Sequence, residues 1–135
     1  MIQDSNNIYF KNIKIEKMQS LSVSGIKIVN SRNNIQFFDC EFTDNKIFGP
    51  MSNDYTKPQG SVFYLSESEI YGYNLKFNGN QATSGAGLHI RKQSKVTFKK
   101  VEIKNNIAAN GGFGYVTEES YIRINSEAGD VISGN

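Results

Sequence analysis

The chain has 135 residues, a formal net charge of +2, one cysteine, one histidine and no tryptophan. That length suits one domain, the charge is too small to argue for a nucleic-acid partner, and a single cysteine excludes an internal disulfide framework. No stretch approaches the roughly 20 apolar residues of a membrane span, and MIQDSNNIYF has neither the basic start nor the apolar run of a signal peptide.

Along the chain, apolar residues alternate at period two over short stretches bounded by Gly, Asn and Ser. That pattern predicts strands, and no three-to-four apolar stripe argues for a helix. One segment recurs. It reads IYFKNIKIEKM from Ile8, IQFFDCEFTDN from Ile35, IYGYNLKFNGN from Ile70, VTFKKVEIKNN from Val96 and, degraded, IRINSEAGDVISGN from Ile122. The steps between these starts are 27, 35, 26 and 26 residues. The long step holds KIFGPMSNDYTKPQ, residues 46–59, with both prolines of the chain. An insertion confined to one corner is what stacked repeats tolerate.

Two further motifs keep the same phase. A glycine-led strand precedes each segment: SGIKI at Ser24, GSVFY at Gly60, GAGLH at Gly85 and GGFGY at Gly111. An apolar-x-x-Asn corner follows: Phe42 with Asn45, Phe77 with Asn80, Ile103 with Asn106, Ile132 with Asn135. A helix-free unit of about 26 residues cannot close a core alone, because ordering each residue costs about 1–2 kcal/mol. It must stack on its neighbours. The predicted fold is all-β: a right-handed, single-stranded parallel β-helix of about five coils, filling residues 1–135 as one domain.

Alternation then assigns the inward columns. They are Ile8, Ile35, Ile70, Val96, Ile122; Phe10, Phe37, Gly72, Phe98, Ile124; Ile13, Cys40, Leu75, Val101; and Ile15, Phe42, Phe77, Ile103. The glycine-led strand adds Val29, Leu65, Ile90 and Val116. The asparagines at one corner are expected to stack as an amide ladder. The first glycine-led strand strains this scheme, since Lys27 falls in the slot of Phe63 and Leu88 while Ile26 and Ile28 flank it: either this strand is in the opposite register, or its outer face is covered.

The pairing of a GGAIY-like motif with an apolar-x-x-Asn corner, best carried by GAGLH with Asn106 and GSVFY with Asn80, resembles the repeats of chlamydial polymorphic outer membrane proteins. The resemblance runs from about Ile8 to Asn135. It implies a pectate-lyase-like β-helix, part of a longer surface-exposed protein with an adhesive or scaffolding role. It supplies no catalytic residue.

The residues themselves offer few sites. Tyr64, His89 and Tyr115 share one position of the motif and are expected to form an outward aromatic column, able to bind a glycan or a partner, or simply to pair across strands. The insertion brings Phe48, Met51 and Tyr55 as contact chemistry for recognition. Cys40 is expected to be a buried small hydrophobe. Arg91, Lys92, Lys95, Lys99, Lys100 and Lys104 are expected to spread over corners and an outer face, balanced by Glu67, Glu69, Glu102, Glu118 and Glu119. Glycoside cleavage needs two facing carboxylates, but one coil above Asp39 and Asp44 the sequence has Asn74 and Gly79.

The expectation is therefore a non-enzyme without cofactor or metal. It is a spacer, adhesin or filament component, at the cell surface or outside the cell, joined end to end by flanking coils or other subunits. A carbohydrate-binding or carbohydrate-active β-helix is one alternative. An intracellular scaffold of a cytoskeletal or ciliary assembly is another.

Overall fold

The repeats wind into a stack. The computed structural model describes residues 1–21, 25–48 and 62–135. The first winding contributes β1 (Ile2–Gln3), β2 (Asn6–Lys11), β3 (Lys14–Glu16) and β4 (Gln19–Ser20). The second contributes β5 (Ile26–Val29), β6 (Asn33–Thr43) and β7 (Lys46–Ile47), and the third β8 (Phe63–Ser66), β9 (Glu69–Asn78) and β10 (Gln81–Ser84). The fourth contributes β11 (Leu88–Arg91), β12 (Lys95–Lys104) and β13 (Ile107–Asn110). Then β14 (Gly114–Val116), β15 (Tyr121–Asn125) and β16 (Val131–Ser133) follow.

Each strand pairs in parallel with the strand one winding later. A first face has the order β1-β5-β8-β11-β14. A second is built on β6-β9-β12, with β2 and β3 below and β15 and β16 above. A third has the order β4-β7-β10-β13. This is a β-solenoid with the architecture of a right-handed parallel β-helix. It has four complete windings and two sides of a fifth, slightly short of the expected five.

Backbone chemistry sets the corners. Asp4, Asn30, Glu67 and Lys92 follow first-face strands with φ of 48 to 53°; Asn12, Asp39, Asn74 and Lys100 bend the second face with φ of 50 to 57°. Lys17, Asp44, Gly79, Asn105 and Gly134 lead into the third side with φ of 53 to 64°. Left-handed backbone is costly for most side chains and least so for Gly, Asn and Asp. That is one reason the sequence is rich in them.

Two polar ladders lock these corners. Asn45 Nδ2 donates to Asn80 Oδ1, Asn80 Nδ2 to Asn106 Oδ1, and Asn106 Nδ2 to Asn135 Oδ1, each at 2.9 Å. Each rung also donates Nδ2 to a carbonyl of the winding below: Ile15, Phe42, Phe77 and Ile103. Met18 stands where the first rung would be and uses only its backbone N–H, to Asn45 Oδ1. The second ladder is serine. The N–H groups of Ser5, Ser31, Ser68 and Ser94 donate in turn to the Oγ atoms of Ser31, Ser68, Ser94 and Ser120, at 3.0 to 3.2 Å.

The inward columns stand in the expected register. Ile8 lies on Ile35, Ile35 on Ile70, Ile70 on Val96 and Val96 on Ile122. Phe10 stacks on Phe37 at 4.7 Å, Phe42 on Phe77 at 5.0 Å and Phe77 on Phe98 at 5.7 Å. Gly72 interrupts one column for a reason: a Cβ there would lie 2.8 Å from Phe98 Cδ1, so glycine makes room for that ring. The columns run out at the ends, where Ile13 is 38%, Val116 41% and Ile132 59% exposed.

The second winding corrects the sequence reading. Ile28, not Val29, lies on Leu65, with Ile26 on Phe63 and Lys27 on Tyr64. A shift of one residue exchanges the faces of a strand. This register buries Ile28 completely and turns Lys27 outward, which removes the anomaly of an inward lysine. The first face also begins a winding earlier than expected, because Ile2 pairs with Ile28. Lys46 and Ile47 belong to the third face, in register with Gln81 and Ala82, so the extra residues of the insertion start beyond Ile47.

Candidate functional site

The aromatic column exists. Tyr64, His89 and Tyr115 occupy adjacent strands in one register, with Lys27 below them. The His89 ring meets Tyr64 edge-on at 5.4 Å and Tyr115 at 5.1 Å. Lys27 Nζ lies 5.8 Å from the Tyr64 ring centroid. Two positions along β11, Arg91 is buried and pairs with Glu118 at 2.9 Å.

The expectation of a surface platform fails for two of the three rings: Tyr64 is 4% exposed and His89 is fully buried. Alternation told which side these residues face. It could not tell that this side is covered. Burial raises the Tyr64 phenol above its ordinary range. Burial, and secondarily the positive charge of Arg91, pushes His89 down from 6.5 to about 4. Neither ring nitrogen of His89 has a hydrogen-bond partner among the described residues.

The sign of the pH dependence follows. The unfolded chain takes up a proton near pH 6.5, whereas folded His89 resists it until about pH 4. Its contribution is complete above about pH 6.5 and is lost as pH falls toward 4, a change on the order of 3 kcal/mol. Urea unfolding at pH 7, 5 and 4 should show this loss, and His89→Phe should remove that part of it. An identical pH profile in the two proteins would rule out His89 as the group responsible.

Of the other candidates, Phe48 is 43% exposed, beside Gln81, Thr83, Ile107 and Ala109 on the third face. Tyr55 and Met51 lie outside the described residues. Cys40 is buried as expected, its thiol within 3.1 Å of the Phe38 carbonyl. The basic stretch is partly paired: Lys92 with Glu67 and Lys104 with Glu102, both at 3.4 Å, besides Arg91 with Glu118. Asn74 donates to Asp39 at 2.7 Å, and Gly79 lies over Asp44. Among the described residues, no three His, Cys, Asp or Glu side chains converge into a metal-binding group.

One feature escaped the sequence reading. At the corner after the first face, Arg32, Glu67, Lys92, Gln93, Glu118 and Glu119 line an open polar groove running across windings. Five of these, Glu67, Lys92, Gln93, Glu118 and Glu119, sit at left-handed positions. A vertical alignment of the corners would have shown the charges lying over one another.

No protein-family model matches the chain, and no curated protein or solved structure matches it either. The β-solenoid architecture is therefore read from the strand pairing alone.

Proposed function

We propose that the chain is a non-enzymatic segment of a cell-surface or extracellular β-helix, serving as a spacer, adhesive rod or filament component. One observation carries this: the serine ladder and the apolar columns run through every winding, and the asparagine ladder runs from Asn45 to Asn135, so that these side chains occupy the interior of the stack. The side chains are spent on holding shape. Asp39 and Asp44, the acidic pair of one winding, are met by an asparagine and a glycine one winding up. The likeness of the GAGLH and apolar-x-x-Asn motifs to those of chlamydial surface proteins supports the location. Immunogold labelling of intact cells tests it. Label on the outer surface is the expected result. Label only on sections, over the cytoplasm, would favour the intracellular scaffold.

The polar corner groove favours glycan binding as a second reading. Its mixed guanidinium, ammonium, amide and carboxylate groups suit the hydroxyls of a sugar chain. Glycan-array binding that is lost in an Arg32→Ala, Glu119→Ala double variant would move the assignment to this reading.

A further inference from the structure

The second face treats its cations differently on the two sides of its bend. Beyond the bend they are paired: Lys14 meets Glu16 at 2.7 Å, Lys76 meets Glu41 at 2.6 Å and Lys104 meets Glu102 at 3.4 Å. Before the bend and on it stand Lys11, Lys95, Lys99, Lys100 and Arg123. Among the described residues, none of these forms an ion pair. The carboxylates nearby do not neutralise them. Asp39 accepts from Asn74 Nδ2, and Asp130 accepts from the N–H groups of Val101 and Glu127. Glu69 is level with Lys95 without pairing to it.

Strand geometry sets the spacing of these charges. Lys95, Thr97 and Lys99 point outward from β12, so Lys95 and Lys99 are about 13 Å apart. Arg123 is level with Thr97 on the next strand. Below Lys99 one column descends through Tyr73 and Phe38 to Lys11, a drop of about 14 Å. The charges cover an area rather than a point. A small anion that reaches one leaves the others unanswered. The ligand that gains from all of them carries anionic groups repeated along a chain.

The rings among these cations narrow the choice. Lys100 Nζ lies 5.9 Å from the Tyr73 ring centroid, and the Arg123 guanidinium 5.7 Å from that of Tyr121. A ring steadies a cation without neutralising it, so both keep their charge for a ligand. Phe38 and Tyr71 lean on each other at 6.1 Å and 54°. Rings engaged in this way are poor platforms for stacked bases, which disfavours a single-stranded nucleic acid. Phe38 is also half-buried and makes no wedge for entering a lipid surface. All the unpaired cations but Arg123 are lysines. A lysine is a point charge, without the fork by which arginine matches a carboxylate, and it suits a sulfate ester.

We propose that this half of the second face binds a linear sulfated polysaccharide, its sulfate groups meeting the unpaired cations. This gives the adhesive reading its ligand and rests on that reading.

The test uses the intact chain and a fluorescein-labelled heparin oligosaccharide, followed by anisotropy. Saturable binding that weakens as sodium chloride rises is expected. The triple variant Lys95→Gln, Lys99→Gln, Lys100→Gln should weaken it about tenfold or more. Lys14→Gln, Lys76→Gln, Lys104→Gln removes the same charge from the paired side and should change it about twofold or less. Lys11→Gln with Arg123→Gln, at the edges of the patch, is an independent variant and should cost about threefold or more. Circular dichroism checks that each variant is folded. Absence of saturable binding, or equal losses in the two triple variants, would overturn the proposal. Undiminished binding of desulfated heparin would do the same. Tighter binding of oligothymidylate, or of phosphatidylserine vesicles, would assign the patch to nucleic acid or to membrane instead. None of these results depends on where the protein resides, so the ligand and the surface assignment fail separately.

Discussion

Phe98→Asp is expected to unfold the chain. Phe98 is completely buried in the middle of the stack, against Phe77 and over Gly72. Losing the ring forfeits about 3–5 kcal/mol, and an unpaired carboxylate in that interior adds several more. The sum rivals the roughly 5–15 kcal/mol that holds a domain together. Thr97, the next residue along, points outward and is only partly covered, so Thr97→Asp is the matched control. Circular dichroism should show strand signal for Thr97→Asp and none for Phe98→Asp. A folded Phe98→Asp protein would contradict the inward assignment of the whole column.

The second large effect is at the asparagine ladder. Asn80 Oδ1 accepts from both the backbone N–H and Nδ2 of Asn45, while Asn80 Nδ2 donates to Phe42 O and Asn106 Oδ1. All of this is buried. Asn80→Ala leaves donors on one side and acceptors on the other with no water to turn to. At about 1–3 kcal/mol for each orphaned group, the net loss should be about 3–5 kcal/mol, allowing for relaxation. Asn135→Ala, at an exposed rung, should cost about 1 kcal/mol. Equal midpoints for the two variants in urea would show that the ladder bonds carry no weight.

The fold was legible because its signal is periodic. Phe77 with Asn80 and Ile103 with Asn106 announce a corner, and a one-dimensional stack turns a repeated corner into a column. The serine ladder was equally periodic, at steps of 26, 37, 26 and 26. It was missed because serine is common in turns and says little one residue at a time. Lys27 is ambiguous in sequence for a related reason: the glycine of SGIKI suggests one register, the flanking Ile26 and Ile28 suggest the opposite one, and the structure adopts the opposite one. At the candidate site the shortfall is of another kind. Sequence put Tyr64, His89 and Tyr115 in one file, and the coordinates agree. Whether a file of rings meets solvent depends on what covers it, and no local pattern encodes that. The charges of the corner groove come from separate windings, none of which is distinctive alone.

The two ladders constrain heredity as well as shape. Asn80 and Asn106 are 26 residues apart and chemically interchangeable. Excising residues 80–105 would join Gly79 to Asn106 and restore a left-handed residue followed by an asparagine rung. Such a gene can lengthen or shorten by whole cassettes, since each duplicated or deleted unit meets its new neighbours as it met the old ones. A change of one or two residues inside a cassette is not forgiven in the same way. The reach of the rod should therefore evolve in quantised steps, one winding at a time.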